Sequence, residues 1–562
     1  MEHSITVEEA ALRTGKSVAT IRRQLGSGDL AGKRVGGRWI VDGDRLPKPA
    51  VGRHSTPQRA DFDAAAALRF LMKTDRKDLW VPDVLNWEDF RTHTSASIAA
   101  ALSKCATGVS DPFEVVEVPK GRLLSRAGAL LSFEDRLAYH TLCATFASAV
   151  DDSLSDRVFS SRLNRKSGSF FKSTFKQYQE FVNSVDEKAT PGRWVVSTDL
   201  VSYFETINHQ ILFEDLKDLG VAENVMKPLR DLLRGWRRSS KGGLPIGPDA
   251  SRLLGNVYLS KVDKQMIEEG YEYFRYMDDV RIVVDSERKG REALRKFEVH
   301  CRSRGLIVTG TDKSRIEAAD SEARSKEDKT FELADYALRN GFNESRKLLR
   351  NILNDAFTEK SLKKRHAKFA LVRLGKLVDR SVLDKILQRL EELSEVSKDS
   401  AFYLRSFISE KRVQAAITDF LSKPEEPGLE KYQEAWLIAV MLEVLHEPPA
   451  EWITYARGIA WNANQPVFLR SLAFNLVALG HESTDLDKLV RLAESDYDTG
   501  LVRGALVALC RIKKLSTPTI KTVLARHPSL KETSDYLLTR NSLPSLVQDG
   551  LWNDLRPVAL GL

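Results

Sequence analysis

The sequence predicts a multidomain α+β protein, and three features of its 562 residues carry that expectation. Hydrophobic periodicity changes character near residues 46 and 330. A short N-terminal unit, a middle region mixing strands with helices, and an almost purely helical remainder therefore follow one another. A polar, proline-rich stretch, LPKPAVGRHSTPQR at 46–59, divides the first two. DSEARSKEDK at 320–329 is dense in charge and nearly free of apolar residues, and reads as an exposed boundary before the third. The expected domains are 1–46, a linker 47–60, 61–330 and 331–562.

Composition narrows the class. Hydrophobic residues make up 42% of the chain, enough for ordinary cores. No window approaches eighteen uncharged apolar residues, so no membrane span is expected. The opening MEHSITVEEAA has no basic-then-apolar leader pattern. Cys105, Cys143, Cys301 and Cys510 are scattered singly, which is neither a disulfide framework nor a zinc spacing. Together these point to a reducing cytoplasm. The net charge of +8 is compatible with a polyanionic partner.

In residues 1–46, TVEEAALRTG has helical spacing at Val7, Ala10 and Ala11 and stops at Gly15. SVATIRRQLGSG starts on Ser17 as N-cap and stops at Gly26. LAGKRVGGRWIV then reads as a hairpin turning at Gly36-Gly37. Helix, turn, helix and basic hairpin is a winged helix-turn-helix order, and it resembles excisionase-type DNA-binding modules. Residues 1–60 hold eleven Lys/Arg against six Asp/Glu. Arg22 and Arg23 on the second helix, with Arg34 and Arg38 on the wing, are the expected nucleic-acid contacts.

The middle region contains FRYMDDVRIVV at 274–284. Strand formers flank two adjacent aspartates, Asp278 and Asp279. A tight turn would explain them, and so would a divalent cation relieving their repulsion. The second reading needs a carboxylate from elsewhere. WVVSTDLVSYFETINH at 194–209 supplies one: an apolar strand runs into Asp199, and Phe204 follows just before a helix. Between the two segments, GGLPIGPDASRLLGNVYLS at 242–260 is a Gly-Pro loop opening a helix. RGLIVTGTDKSRI at 304–316 reads as a strand followed by Lys313.

Four motifs in this order resemble the right-hand palm of reverse transcriptases. They are D-x-x-x-x-F (Asp199 to Phe204), L-P-x-G-x-x-x-S (Leu244 to Ser251), Y-x-D-D (Tyr276 to Asp279) and the lysine after a G-L-x-x strand (Lys313). VPKGRLLSRAGALLSFEDRLAYHTL at 118–142 resembles the fingers of the same family. The resemblance implies transfer of dNTPs to a primer hydroxyl of DNA or RNA with two Mg²⁺ ions, or Mn²⁺, roughly 3.5–4 Å apart. Asp199, Asp278 and Asp279 would ligate metal, helped by the backbone carbonyl of Leu200. Lys313 would protonate or neutralise pyrophosphate. Lys120, Arg126 and Gly247 would hold the nucleotide, and Phe204 would exclude a 2′-hydroxyl.

One position departs from the commonest pattern: Ile246 stands where L-P-Q-G enzymes carry Gln. LPIGPDASRLLGNVYL instead resembles the abortive-infection, phage-defence branch of bacterial reverse transcriptases. That branch joins fingers and palm to a C-terminal α-helical repeat. Relatives there synthesise DNA without an added template, prime from a protein hydroxyl and form homo-oligomers. Tyr403, Tyr432 and Tyr455 are the candidate hydroxyls. The alternatives are RNA-templated cDNA synthesis on a cognate non-coding RNA, as in retrons, and a non-catalytic nucleic-acid-binding regulator. Intact carboxylates count against the last.

From 331 onward helical periodicity dominates. RSLAFNLVALG begins at Arg470 and RGALVALCRIK at Arg503, thirty-three residues on, with EAWLIAVMLEVL from Glu434 about one period earlier. This recurrence predicts stacked helix pairs of HEAT-like type. RKFEVH at 295–300 matches an RNase R-x₄-H pattern and reads as helix filler. No paired histidines indicate zinc, and no phosphate-binding P-loop indicates an ATPase.

Overall fold

The computed structural model describes residues 4–7, 10, 25, 30–35, 38–42, 62–92, 94–121, 124–166, 168–237, 242–310, 313–319, 323–357, 362–422, 431–444, 447–540 and 542–548. The chain divides into two compact units, Met1–Ala60 and Asp61–Leu562.

In the small unit, β1 (Ser4–Thr6), β2 (Gly32–Val35) and β3 (Arg38–Asp42) form an antiparallel sheet in the order β1-β3-β2. Val35 pairs with Arg38, leaving two residues between the strands. β1 was not expected, because three residues are too few to show a period. Val7, Ala10, Leu25, Leu30 and Val41 make the core, with Trp39 against it. Arg34 and Arg38 lie on the paired strands of the hairpin. Arg22, Arg23 and the linker 47–60 fall outside the described residues.

The large unit opens with α1 (Ala64–Lys73) and α2 (Ser95–Thr107). The hairpin of β4 (Glu114–Lys120) and β5 (Leu124–Leu130) follows, then α3 (Phe133–Ala144) and α4 (Thr174–Lys188). A four-stranded antiparallel sheet comes next: β6 (Trp194–Thr198), β7 (Glu272–Tyr276), β8 (Asp279–Val284) and β9 (Arg315–Ala318), in the order β7-β8-β6-β9. Between β6 and β7 runs α5 (Asp249–Glu268), and between β8 and β9 runs α6 (Glu287–Ser303).

Both faces of this sheet are covered, which is why β6 and β8 read as unbroken apolar runs. Val195, Phe274 and Val283 pack on Phe181 and Val185 of α4. On the opposite face Arg275, fully buried, forks onto Asp263 of α5 at 2.7 Å, and Tyr273 donates to the same carboxylate at 2.9 Å. A buried guanidinium survives there because each of its three nitrogens finds an acceptor: Asn256 and the Met277 carbonyl take Nη1, at 3.0 and 2.8 Å.

Beyond the sheet, α7 (Ala323–Arg339) runs through the charged stretch that reads as a boundary. Its Ala, Lys, Glu and Arg are good helix formers, so charge density there does not break the backbone. Then come α8 (Glu344–Ala356), α9 (Lys364–Lys376), α10 (Ser397–Leu404), α11 (Lys431–Met441), α12 (Val467–Ala478), α13 (Thr499–Arg511) and α14 (Lys531–Thr539). Helices α9 to α13 pack in series as an inner row, while Ala450–Ala460 and Ser483–Ser495 pack against α12 and α13 from outside. The inner helices are buried nearly all round, so they show little amphipathic period. Where α12 and α13 cross, a methyl on Gly504 would come within 2.7 Å of Ser471.

One hydrophobic core joins this row to the β4–β5 hairpin and to Val81, Val84 and Leu85. Polar groups lock the join. Glu114 of β4 accepts the N–H groups of Val467 and Phe468 at 2.6 and 3.1 Å, capping α12, whose own N-cap residue, Pro466, offers no side-chain acceptor. Arg503 of α13 forks onto both Asp83 and Asp89. Glu532 of α14 accepts from Ala96 and Ser97 at the start of α2. Arg470, at the matching place in α12, donates instead to the Ala460 carbonyl at 3.1 Å.

Candidate active site

The site forms where β6 and the β7–β8 hairpin end side by side. Asp199 directly follows β6, and Thr309 ties its carbonyl down with N–H and hydroxyl donors at 2.9 and 3.0 Å. The N–H of Val201 bonds to the Ile307 carbonyl at 2.8 Å, and Ser202 takes a positive φ of 45° to turn the chain into Tyr203–Thr206. The stretch 304–310 is therefore no regular strand. Only Leu200 bridges Val308, and the strand proper, β9, begins after Lys313.

At the hairpin, Tyr276 pairs with Asp279, so Met277 and Asp278 are the turn. Met277 has φ 57°, a strained value for a long side chain and of order 1–3 kcal/mol unfavourable. Ser160 holds it there by accepting the Met277 N–H at 2.8 Å. Ser160 lies in VFSSRL, residues 158–163.

The three carboxylates are treated differently. Asp199 and Asp278 come together: burial first, then Asp199 and Asp279, push the Asp278 carboxyl up to about 6. Asp199 receives Lys313 Nζ at 2.9 Å and its neighbour's N–H, that of Leu200, at 2.9 Å. Asp279 is turned to Arg281, two residues along the same strand. Among the described residues no three His, Cys, Asp or Glu side chains stand together as a ready metal cluster. The donor chemistry nevertheless fits a hard divalent cation, with oxygen ligands only and a like-charge repulsion that such an ion would relieve.

Phe204 is half-buried between this turn and the L-P-I-G loop. Its carbonyl accepts the Leu244 N–H at 2.8 Å, and a methyl on Gly255 would come within 3.2 Å of its ring. Ser251 is buried and structural: its hydroxyl donates to the Pro245 carbonyl at 2.6 Å and meets Tyr139 at 3.0 Å. Trp80 is the residue that no sequence pattern revealed. Its indole N–H donates to the Ile246 carbonyl at 2.7 Å, and its ring lies where a side chain on Gly128 or Gly247 would sit, 2.8 Å away in both cases. Gly247, with φ 129°, is thus required by the close approach of Trp80. Trp436 of α11 donates to the Trp80 carbonyl at 3.1 Å, so the inner helical row buttresses the loop directly.

Lys120 ends β4 in solvent, and Arg126 sits half-buried opposite Val118. Of the candidate primer hydroxyls, Tyr403 is buried and donates to the Asp379 carbonyl at 2.6 Å. Tyr432 is buried, and Tyr455 donates to Glu434 at 2.6 Å. No described helix is long and apolar enough to cross a membrane.

Comparison with known proteins agrees with this geometry. Residues 145–329 match the family model described as reverse transcriptase (RNA-dependent DNA polymerase). Protein YkfC of Escherichia coli (strain K12) is 31% identical over 151 residues, a match covering 24% of this chain and 39% of that protein. The chain thus spans well under half the length of that curated relative. The chain carries a reverse transcriptase domain over residues 145–329.

Proposed function

We propose that this protein is a DNA-synthesising nucleotidyltransferase that uses dNTPs and divalent metal ions. The observation that carries the reading is the meeting of Asp199 and Asp278 at adjoining strand ends, with burial and then repulsion from Asp199 raising the Asp278 carboxyl. Asp199, Asp278, Asp279 and the Leu200 carbonyl would hold Mg²⁺ or Mn²⁺, which when bound would stabilise charge on the attacking and leaving oxygens. Lys313, already on Asp199, would neutralise departing pyrophosphate. Phe204 would close the space a 2′-hydroxyl needs. The strained Met277 turn, fixed by Ser160 and Arg275, aims Asp278 without reorganisation during reaction.

The defence assignment, synthesis without an added template, priming from a protein hydroxyl and oligomer formation belong to the same proposal. They rest on the resemblance of LPIGPDASRLLGNVYL and on the helix stack after 331, read as HEAT-like. The indole of Trp80 occupies the Ile246 carbonyl, and an apolar Ile246 offers no hydrogen bond near a templating base, which favours this branch over conventional copying. The test is incorporation of labelled dNTPs by the full chain with Mg²⁺ or Mn²⁺, with and without added primer and template. Asp278→Asn is expected to lower the rate by about 10³-fold or more with the fold retained; undiminished incorporation refutes the assignment. For residues 1–46 we propose nucleic-acid contact through Arg22, Arg23, Arg34 and Arg38. Removing these four charges from the full chain should flatten the salt dependence of duplex DNA binding, by about 0.9 in log–log slope per lost phosphate contact; an unchanged slope excludes them.

A further inference from the structure

The short segment Asp75–Trp80 lies between the helical row and the L-P-I-G loop and is held on both sides. Toward the loop it grips residues 246, 249 and 252 in turn. The Trp80 indole N–H donates to the Ile246 carbonyl at 2.7 Å. The buried Asp75 carboxylate accepts the Asp249 N–H at 3.0 Å, capping α5, whose N-cap residue, Pro248, offers no side-chain acceptor. Arg252, in the first turn of α5, pairs with Asp78. Toward the helical row, Lys398 of α10 donates to the Lys77 carbonyl at 2.5 Å. Trp436 of α11 donates to the Trp80 carbonyl at 3.1 Å. The fit on the loop side is steric as well as bonded. The indole stands 2.8 Å from where a side chain would begin at both Gly128 of β5 and Gly247. Gly128 lies outside the left-handed region, so the indole and not the backbone requires glycine there. The Ile246 carbonyl also accepts the Ala129 N–H at 3.3 Å. Trp80 is thus a wedge between the fingers strand and the loop.

We propose that Trp80 is a positioning residue for nucleotide binding: the strap Asp75–Trp80 carries the placement of the helical row to the L-P-I-G loop and sets its spacing from β5. This rests on the polymerase reading above. Trp80 acts through Ile246, Gly247 and Gly128, and the helical region acts through Trp80, so helices remote from the carboxylates tune the nucleotide pocket.

The test uses the full chain. Trp436→Phe removes the N–H that holds the Trp80 carbonyl, and Trp80→Phe removes the N–H that holds Ile246. Each should raise the KM for dNTP about three- to tenfold, the loss expected of one hydrogen bond, while kcat and affinity for single-stranded DNA change less. Hydrogen exchange at the Ala129 and Asp249 amides should quicken in both variants. Gly128→Ala should impair wild type, yet add little to Trp80→Ala, because the vacated space receives the methyl. Should Trp80→Ala fail to fold, the two Phe variants decide. Unchanged KM in both Phe variants overturns the proposal, and so does a Gly128→Ala effect that adds in full to that of Trp80→Ala. Lower thermal stability with KM and exchange both unchanged makes the tryptophans packing residues and equally overturns it. If wild type incorporates no nucleotide, the polymerase reading fails, and the exchange result alone then decides whether the strap holds the loop.

Discussion

The carboxylates at the palm hairpin and those at the base of the fingers are both crowded together, yet the second set is answered by one shared guanidinium and the first leaves Asp278 raised between its neighbours. Asp83 and Asp89 share Arg503, whose side chain is 11% exposed, and Thr533 adds a hydroxyl to Asp89 at 2.7 Å. Asp199 and Asp278 instead face each other across a turn strained at Met277. One guanidinium shared by two carboxylates holds the helical row to the fingers. At the palm, Lys313 reaches Asp199 and Arg281 reaches Asp279, while Asp278 between them is raised by burial and by both neighbouring carboxylates. The comparison therefore predicts opposite responses to substitution in the two places.

The largest effect on stability is expected at the answered set. Arg503→Ala leaves the buried Asp89 and the partly buried Asp83 without their cation and should cost about 3–5 kcal/mol, measured by denaturant unfolding of the full chain. Arg503→Met, with Asp83 and Asp89 both made Asn, should recover part of that loss. A cost below about 1 kcal/mol would mean water reaches the network.

Next comes Asp278→Asn, expected to stabilise the metal-free protein. With its carboxyl near 6, the folded chain holds this proton more tightly than the unfolded chain, whose carboxyl titrates near 3.8. The stabilisation it brings is complete below about pH 4 and is lost as pH rises through 6. In chelator at pH 7.5 the Asn variant should therefore unfold later than wild type, by about 1–3 kcal/mol. The gap should narrow as pH falls below 6 and close below about pH 4, and Mg²⁺ should stabilise wild type more than the variant. A variant less stable at pH 7.5 would show that the two carboxylates do not repel.

The smallest effect separates packing from selection beside the site. Phe204→Ala should raise ribonucleotide use relative to deoxynucleotide use by roughly tenfold. The ratio of kcat/KM for the two sugars measures it, and an unchanged ratio makes Phe204 a packing residue for Gly255 and Tyr203.

Asp199, Asp278 and Lys313 were legible in the sequence because their spacing is local to strand ends, where period-two patterns stop. The inner row of helices was legible at Arg470 and Arg503, since apolar runs at a fixed interval repeat whatever they pack against. The unlike partners of those two arginines, a backbone carbonyl and a pair of aspartates over four hundred positions away, were not. Charge density at 320–329 did not mark a break in the backbone, because Ala323–Arg339 is one helix and the residues that carry the charge are good helix formers.

Composition, hairpin turns, apolar periods and the order of four short motifs are properties of neighbouring residues, so the sequence alone determined the chemistry class and the placement of its carboxylates. Only the tertiary structure decided what surrounds them. Trp80 reaches Ile246 across 166 positions, and Trp436 reaches Trp80 across 356. Such contacts follow from how helices and strands fill a common core, and packing leaves no spacing in the chain to be read.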